Sequence, residues 1–358
     1  GTELSLGLER AASLEALLSI ADVVSLHTPL TQETRHLIST AALQAMKPQA
    51  ILVNTARGGV VDLAALTPAL LGGRLGGAAL DVAKVVAVLA VHDGDVLEYA
   101  WDHPRVRPIE NELPHFVALP TTAGTGSEVG RSSVVAEDDT HVKRSVFSPK
   151  LLAQAVFADP ELTLALPAPV TAATGMDALT HNIESYLSPA YHPLCDGIAL
   201  EGLRIGARAL AAAVREPSNL QARADMMMSS MMGAVAFQKD LGSVHACAHA
   251  LGAVNDLHHG LANALMIDTV LAWNIEAVPA KFDEMAHAAG LAGGGAAFVP
   301  WLKQLKAQIG ISGGLAERGV TREHLPRLSA LAAVDFAGQT NPIKATAADY
   351  ERLFLAAM

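Results

Sequence analysis

Residues 169–187 read PVTAATGMDALTHNIESYL, and the fold turns on them. Before them, short apolar runs alternate with helical patterns: ADVVSLHTP at 21–29, AILVNTARGG at 50–59, HFVALPTTAGTG at 115–126 and AVFADPEL at 155–162. That alternation predicts parallel strands with crossover helices, an α/β layer. From about Leu166 onward the strand signals stop, and long Ala-, Leu- and Met-rich helical patterns run to ADYERLFLAAM at 348–358. The expected fold is therefore an α/β N-terminal domain followed by an all-α domain. GLAGGGAAF at 290–298 reads as a loop between helices, and MMMSSMMG at 226–233 as core packing beside small residues. No internal repeat is visible.

Composition narrows the function. The 358 residues suffice for two domains, and a hydrophobic content of 51% fills two cores. Net charge is −11, from 25 basic and 36 acidic residues, which argues against a nucleic-acid partner because no basic face replaces counterions. Two cysteines, Cys195 and Cys247, make no disulfide framework. Residues 1–18 lack a signal-peptide pattern, and no apolar run approaches the roughly 20 residues of a membrane span. The expectation is a cytoplasmic protein without a membrane partner. Oligomeric state stays open, a homodimer or larger homo-oligomer included.

The chemistry-bearing residues lie in the helical half. Asp177 and His181 are four residues apart, so on a helix they meet on one face. VHACAHALGAVNDLHHG at 244–260 adds His245, His249, His258 and His259. A divalent metal needs imidazoles and carboxylates converging, and i, i+4 pairs supply two at once. Cys247, two residues from His245, points to another helix face and is rejected as a ligand.

From about Leu80 to Met358 the chain resembles the iron-containing (group III) alcohol dehydrogenase family. The matching segments, in the family's order, are LDVAK, ALPTTAGTGSEVGRSSVV, FADPELT, TAATGMDALTHNIESY, GSVHACAHALGAVNDLHHGLANAL and TNPIKATAADYERLFLAAM. The resemblance implies a dehydroquinate synthase-like architecture: an α/β nucleotide-binding domain, an all-α metal-binding domain, and an active site in the cleft between them. It also implies one metal held by Asp177, His181, His245 and His259, with His249 catalytic beside nicotinamide and substrate. Fe²⁺ suits these nitrogen and oxygen ligands, though Zn²⁺ or another divalent metal fits the same set. Such a cation acts as a Lewis acid while NAD or NADP carries the hydride. The substrate implied is a small primary alcohol or hydroxyacid and its aldehyde. Thr121, Thr122 and Thr125, in the Gly/Thr turn PTTAGTGSE, are cofactor candidates, because such turns expose N–H groups and hydroxyls to phosphate. Lys143 resembles a family lysine that reaches the ribose.

Residues 1–82 are similar instead to part of the NAD-binding domain of the D-2-hydroxyacid dehydrogenases. NTARGGVVD at 54–62 carries the resemblance, with Arg57 at the position that binds substrate carboxylate there. No GxGxxG precedes it, and that family's acid and histidine do not follow. The two resemblances meet in RLGGAALDVAKVV at 74–86. Aligned on Asp81 and Lys84, the iron family's pyrophosphate turn of three glycines and a serine reads Leu75, Gly76, Gly77, Ala78. Gly76, Gly77, Asp81 and Lys84 are therefore the remaining cofactor candidates. The organisation expected is a half-Rossmann segment at 1–82, the rest of the cofactor domain at 83–165 and the helical catalytic domain at 166–358. The chain reads as a chimera, and the alternatives to an active alcohol dehydrogenase are a metal-binding chimera with a spoiled cofactor site and a D-2-hydroxyacid dehydrogenase.

Overall fold

The computed structural model describes residues 11–21, 23–26, 32, 34, 36–47, 51–54, 62, 79–114, 116–118, 120–136 and 143–358. The chain divides into two compact units, Gly1–Val86 and Ala87–Met358.

The first unit opens with α1 (Leu14–Ile20), started by Ser13, whose hydroxyl accepts from Ala16 N at 3.1 Å. Strand β1 (Val23–Leu26) pairs in parallel with β2 (Ile51–Asn54), Val24 opposite Leu52. Between them α2 (Thr40–Ala45) starts on Ser39, and Leu18, Val24, Ile38 and Leu43 are buried. Helix α3 (Ala79–Leu89) crosses into the second unit. The apolar run DVAKVVAVLA is thus helical through Leu89, as the iron-family reading of the junction requires.

The second unit begins with strands and ends in helices. β3 (Val117–Ala118) pairs in parallel with β6 (Ala155–Val156), as expected for a crossover layer. β4 (Ser132–Ala136) and β5 (Lys143–Phe147) form an antiparallel pair, which departs from the all-parallel expectation. The pairing follows from chain geometry: six residues separate the two strands, too few for the crossover of a dozen or more that a parallel pair needs. Val88, Tyr99, Val146 and Leu151 pack into a small apolar cluster beside this pair.

Beyond Leu166 the described residues contain helices and turns without strands. The helices are α4 (Ala168–Leu187), α5 (Pro193–Arg215), α6 (Leu220–Ala236), α7 (Ser243–Asn255), α8 (His259–Asn274), α9 (Pro279–Ala288), α10 (Phe298–Gln308), α11 (Leu325–Val334) and α12 (Ala347–Ala356). Their starts are written in the sequence: Pro193 opens α5, Asn219 caps α6 at Ala222 N (3.0 Å), and Thr346 with Asp349 makes a capping box on α12. α4 is the central helix, buried along most of its length and packed by α5, α6 and α8. A helix hidden on all sides must satisfy its polar groups internally, and the Asn182 side-chain nitrogen does so by donating to Ala178 O (2.8 Å) and Ser229 O (2.9 Å). Gly233 of α6 lets α4 approach, since a Cβ there would lie 2.9 Å from His181 Cβ.

The glycine cluster at 290–298 lies between α9 and α10, with Gly290, Gly293 and Gly294 at positive φ. The methionine group departs in part from core packing. Met226 and Met227 are buried, but Met228 is 46% exposed, because α6 carries an apolar run longer than one face and turns part of it to solvent. No helix among the described residues is long and apolar enough to cross a membrane.

Candidate metal centre

Three helices bring the site together. α4 presents Asp177, His181 and Glu184 at i, i+4 and i+7, all buried. α7 presents His245 and His249 one turn apart. It ends at Asp256 in the left-handed conformation (φ 51°), and α8 starts three residues later. A non-glycine residue there costs about 1–2 kcal/mol, and the turn returns the chain so that His259, the first residue of α8, faces α7. His258, left without a role by sequence, caps α8: its Nδ1 accepts from Leu261 N at 3.4 Å.

Asp177 Oδ1 lies 3.4 Å from His259 Nε2 and 3.7 Å from His245 Nε2. A ligand atom from each of these three residues lies within 4.8 Å of the others. A tetrahedral cation with bonds of about 2.1 Å separates its ligand atoms by roughly 3.4 Å, so this spacing fits a first-row divalent metal. His181 stands at the edge of the group, its Nε2 3.1 Å from His245 Nε2 and its Nδ1 3.9 Å from Asp177 Oδ2. His181 Nδ1 is buried without a hydrogen-bond partner. The His259 side chain is 26% exposed while those of Asp177, His181 and His245 are 5% or less, so the group opens on the His259 side.

Two residues that spacing alone did not single out complete the surroundings. Asn263, one turn after His259, donates from Nδ2 to Asp177 Oδ1 at 2.7 Å. Glu184 accepts from His245 through Nδ1 at 2.6 Å. Both sit inside quoted motifs, Glu184 at i+7 from Asp177 and Asn263 at i+4 from His259, so helical periodicity could have placed them on the candidate ligand faces.

The electrostatics favour a cation. Burial alone would raise Asp177, but His181, His259 and His245 outweigh it and hold the carboxyl well below its usual range. Burial pushes His181 down to about 4, against the pull of Asp177. Burial, then the nearby Lys143 cation, lowers His259 well below an ordinary imidazole. His245 goes the other way: burial opposes, yet the carboxylates of Asp177 and Glu184 raise it to about 9. Cys247 is fully buried, its thiol raised by burial, and stands outside the ligand group.

A cavity of about 690 Å³ adjoins the group, lined by His249, Lys143, Arg144, Trp101, Phe336 and Asp335 among others. His249 Nδ1 lies 2.9 Å from Asp335 Oδ2, and its ring stacks on that of His259 with centroids 5.4 Å apart. Burial lowers His249, against Asp335. Asp335, which sequence did not single out, also accepts from Ala337 N at 2.9 Å.

The cofactor candidates divide. Thr125 Oγ1 reaches Asp177 Oδ2 at 3.5 Å, and Lys143 Nζ lies 3.4 Å from His259 Nδ1, so both border the candidate ligand group. Thr121 is half-buried and Thr122 exposed on the same turn. Asp81 and Lys84 lie on α3, Asp81 half-buried and Lys84 buried. Gly76 and Gly77, like Arg57, Leu75 and Ala78, lie outside the described residues.

Comparison with known proteins gives three matches along the chain. Residues 171–358 match the Fe-containing alcohol dehydrogenase family, C-terminal, and residues 74–160 match iron-containing alcohol dehydrogenase. Residues 2–108 match the NAD binding domain of D-isomer specific 2-hydroxyacid dehydrogenase, so 74–108 fall within two families at once. A 4-hydroxybutyrate dehydrogenase from Cupriavidus necator is 41% identical over 287 residues, 78% of this chain and 75% of the relative. A 1,3-propanediol dehydrogenase from Citrobacter freundii is 38% identical, covering 78% and 73%. Among solved structures, a 1,3-propanediol oxidoreductase superimposes with a TM-score of 0.76 at 31% identity, covering 94% of this chain and 91% of the other. A sulfoacetaldehyde reductase from Bifidobacterium kashiwanohense, solved with NAD⁺, gives 0.72 at 25%, covering 99% and 93%.

Proposed function

This chain belongs to the iron-containing alcohol dehydrogenase family, and from that premise we propose that it interconverts a small primary alcohol or hydroxyacid with the corresponding aldehyde. It is an oxidoreductase of the kind its relatives represent. The observation that carries the reading is the convergence of Asp177 Oδ1, His245 Nε2 and His259 Nε2 beside a cavity lined by His249.

We assign Asp177, His181, His245 and His259 as the residues that hold the divalent metal. Bound there, the metal would supply Lewis-acid polarisation of the substrate oxygen, and the nicotinamide would supply or accept the hydride. The chain's own residues do the rest. Asn263 fixes the carboxylate of Asp177 by its 2.7 Å hydrogen bond. Asp335 holds His249 through Nδ1, which leaves Nε2 for the cavity. A buried, neutral imidazole there accepts the proton when an alcohol is oxidised and returns it when an aldehyde is reduced. Trp101 and Phe336, edge to face at 6.2 Å, give the cavity an apolar wall for a short carbon chain. Thr125 and Lys143 place a hydroxyl and a cation beside the metal group, where they would border the nicotinamide half of a bound dinucleotide.

The test is a screen of three- and four-carbon aldehydes, with and without a carboxylate, against the metal-loaded chain with NADH and NADPH. Turnover that a chelator abolishes is expected. Turnover confined to 2-oxo acids and indifferent to chelation would sink the reading and favour the 2-hydroxyacid dehydrogenase alternative.

A further inference from the structure

The N-cap of α7 is Gly242, which has no side chain to cap the helix, yet the first turn of α7 is fully buried. Its N–H groups are satisfied from elsewhere in the chain. Ser243 N donates to Asn341 Oδ1 at 3.1 Å. Val244 N donates to Glu184 Oε1 at 2.7 Å and His245 N to Glu184 Oε2 at 3.2 Å. The same Oε2 lies 2.6 Å from His245 Nδ1. The close approach depends on Gly242, where a Cβ would meet Glu184 Oε1 at 2.6 Å.

We propose that Glu184 is the positioning residue of the metal centre. Its carboxylate caps α7 in place of the missing Gly242 side chain and, through His245 Nδ1, fixes the tautomer whose Nε2 lone pair faces Asp177 and His259. A carboxylate accepts on both oxygens and can take all three donors; an amide offers an acceptor on one side and a donor on the other. The arrangement also links two ligands mechanically, because Glu184 shares the face of α4 that carries Asp177 and His181. A carboxylate behind a ligating imidazole sets ring orientation and raises ligand basicity. Asn341 separates this role from capping alone: it holds the first N–H of α7, an amide pair with Asn274 (2.8 and 2.9 Å) and Ile343 O, and among the described residues it makes no hydrogen bond to the His245 ring.

The proposal rests on the reading of His245 as a ligand, and the experiment keeps the two apart. The full chain, stripped of metal, is titrated with Co²⁺ and followed by the visible absorption of the bound ion, for the parent, Glu184→Gln and Asn341→Ala. Glu184→Gln should weaken Co²⁺ binding about 10- to 100-fold and alter the cobalt spectrum. Asn341→Ala should lower thermal stability while leaving Co²⁺ affinity within about threefold, since it removes a cap without touching a ligand. Parental affinity and spectrum in Glu184→Gln, or equal losses in both variants, overturns the positioning role. A parent that binds no Co²⁺ overturns the ligand reading and the proposal with it.

Discussion

His181 Nε2 lies 3.1 Å from His245 Nε2, although 64 residues separate them along the chain. Two neutral acceptors at that distance repel unless a proton or a cation lies between their lone pairs. In the chain stripped of metal the proton belongs to His245, raised to about 9, because His181 is pushed down to about 4 and His259 lies well below an ordinary imidazole. Asp177 is ionised throughout the neutral range. A metal entering below about pH 9 must displace that one proton. Its apparent affinity should rise about tenfold per pH unit and flatten above about pH 9. Calorimetry in buffers of different ionisation enthalpy should count about one proton released per ion near pH 7. A count of zero would contradict this electrostatic account.

Asp335 gives a second pH prediction with a definite sign. Its carboxylate raises His249 against the larger lowering by burial. With the neutral ring as the proposed proton acceptor, alcohol oxidation should persist above the His249 pKa and fall as pH drops through it. Asp335→Asn removes the raising influence, and the acid limb of the kcat profile should move to lower pH. It also offers an amide donor to Nδ1, which favours the wrong tautomer, so kcat should fall about 10- to 100-fold. An unshifted acid limb with unchanged kcat would remove His249 from proton transfer.

Much of this centre is visible in the sequence, and the reasons mark the limits. Asp177 and His181 could be paired because a helix repeats every 3.6 residues. The blocks carrying His245 and His259 could be recognised because α7 and α8 are separated by one short turn. Glu184 and Asn263 lie on the same faces, but their significance depends on partners 61 and 86 residues away. Helical period carries no information about such long-range contacts. The β4–β5 pairing was missed for a related reason: short apolar runs of similar composition serve parallel and antiparallel strands alike, and only loop length separates them. Asp335 lies outside every motif, since its role comes from the packing of His249.

Gly233→Ala tests the packing beneath the ligands. The change gains up to about 1 kcal/mol of helix propensity. Against this, the new Cβ would sit 2.9 Å from His181 Cβ and 3.3 Å from Ala178 O, an overpacking of about 1–3 kcal/mol. Crowding should win: the melting temperature should fall by several degrees, and metal should be retained less well after dialysis. A rise in both would show that α4 yields freely at this point.

The junction between the two families yields a prediction about residues 75–78. A pyrophosphate on a helix start is held by backbone N–H groups and a hydroxyl donor. Leu75 and Ala78 stand where the family has glycine and serine. A lost hydrogen bond to a charged group weakens binding by about 1.5–3 kcal/mol, or ten- to a hundredfold. Leu75→Gly with Ala78→Ser should therefore tighten NADH binding at equal metal occupancy. Low-micromolar binding by the parent, or no gain in the double variant, would contradict this alignment of the junction.

Arg57 separates the two families by activity. Arg57→Ala should leave alcohol oxidation within about twofold of the parent, since the acid and histidine that would accompany it are missing. A large loss with 2-hydroxy acids as substrates would reverse the ranking of the two halves.

The central claim is that Asp177, His181, His245 and His259 hold one divalent ion. Elemental analysis of the purified parent and of His259→Ala, after the same brief chelator challenge, addresses it most directly. The account predicts about one ion per chain in the parent and close to none in the variant, because His259 closes the group on its exposed side. Equal metal content in the two proteins would contradict it.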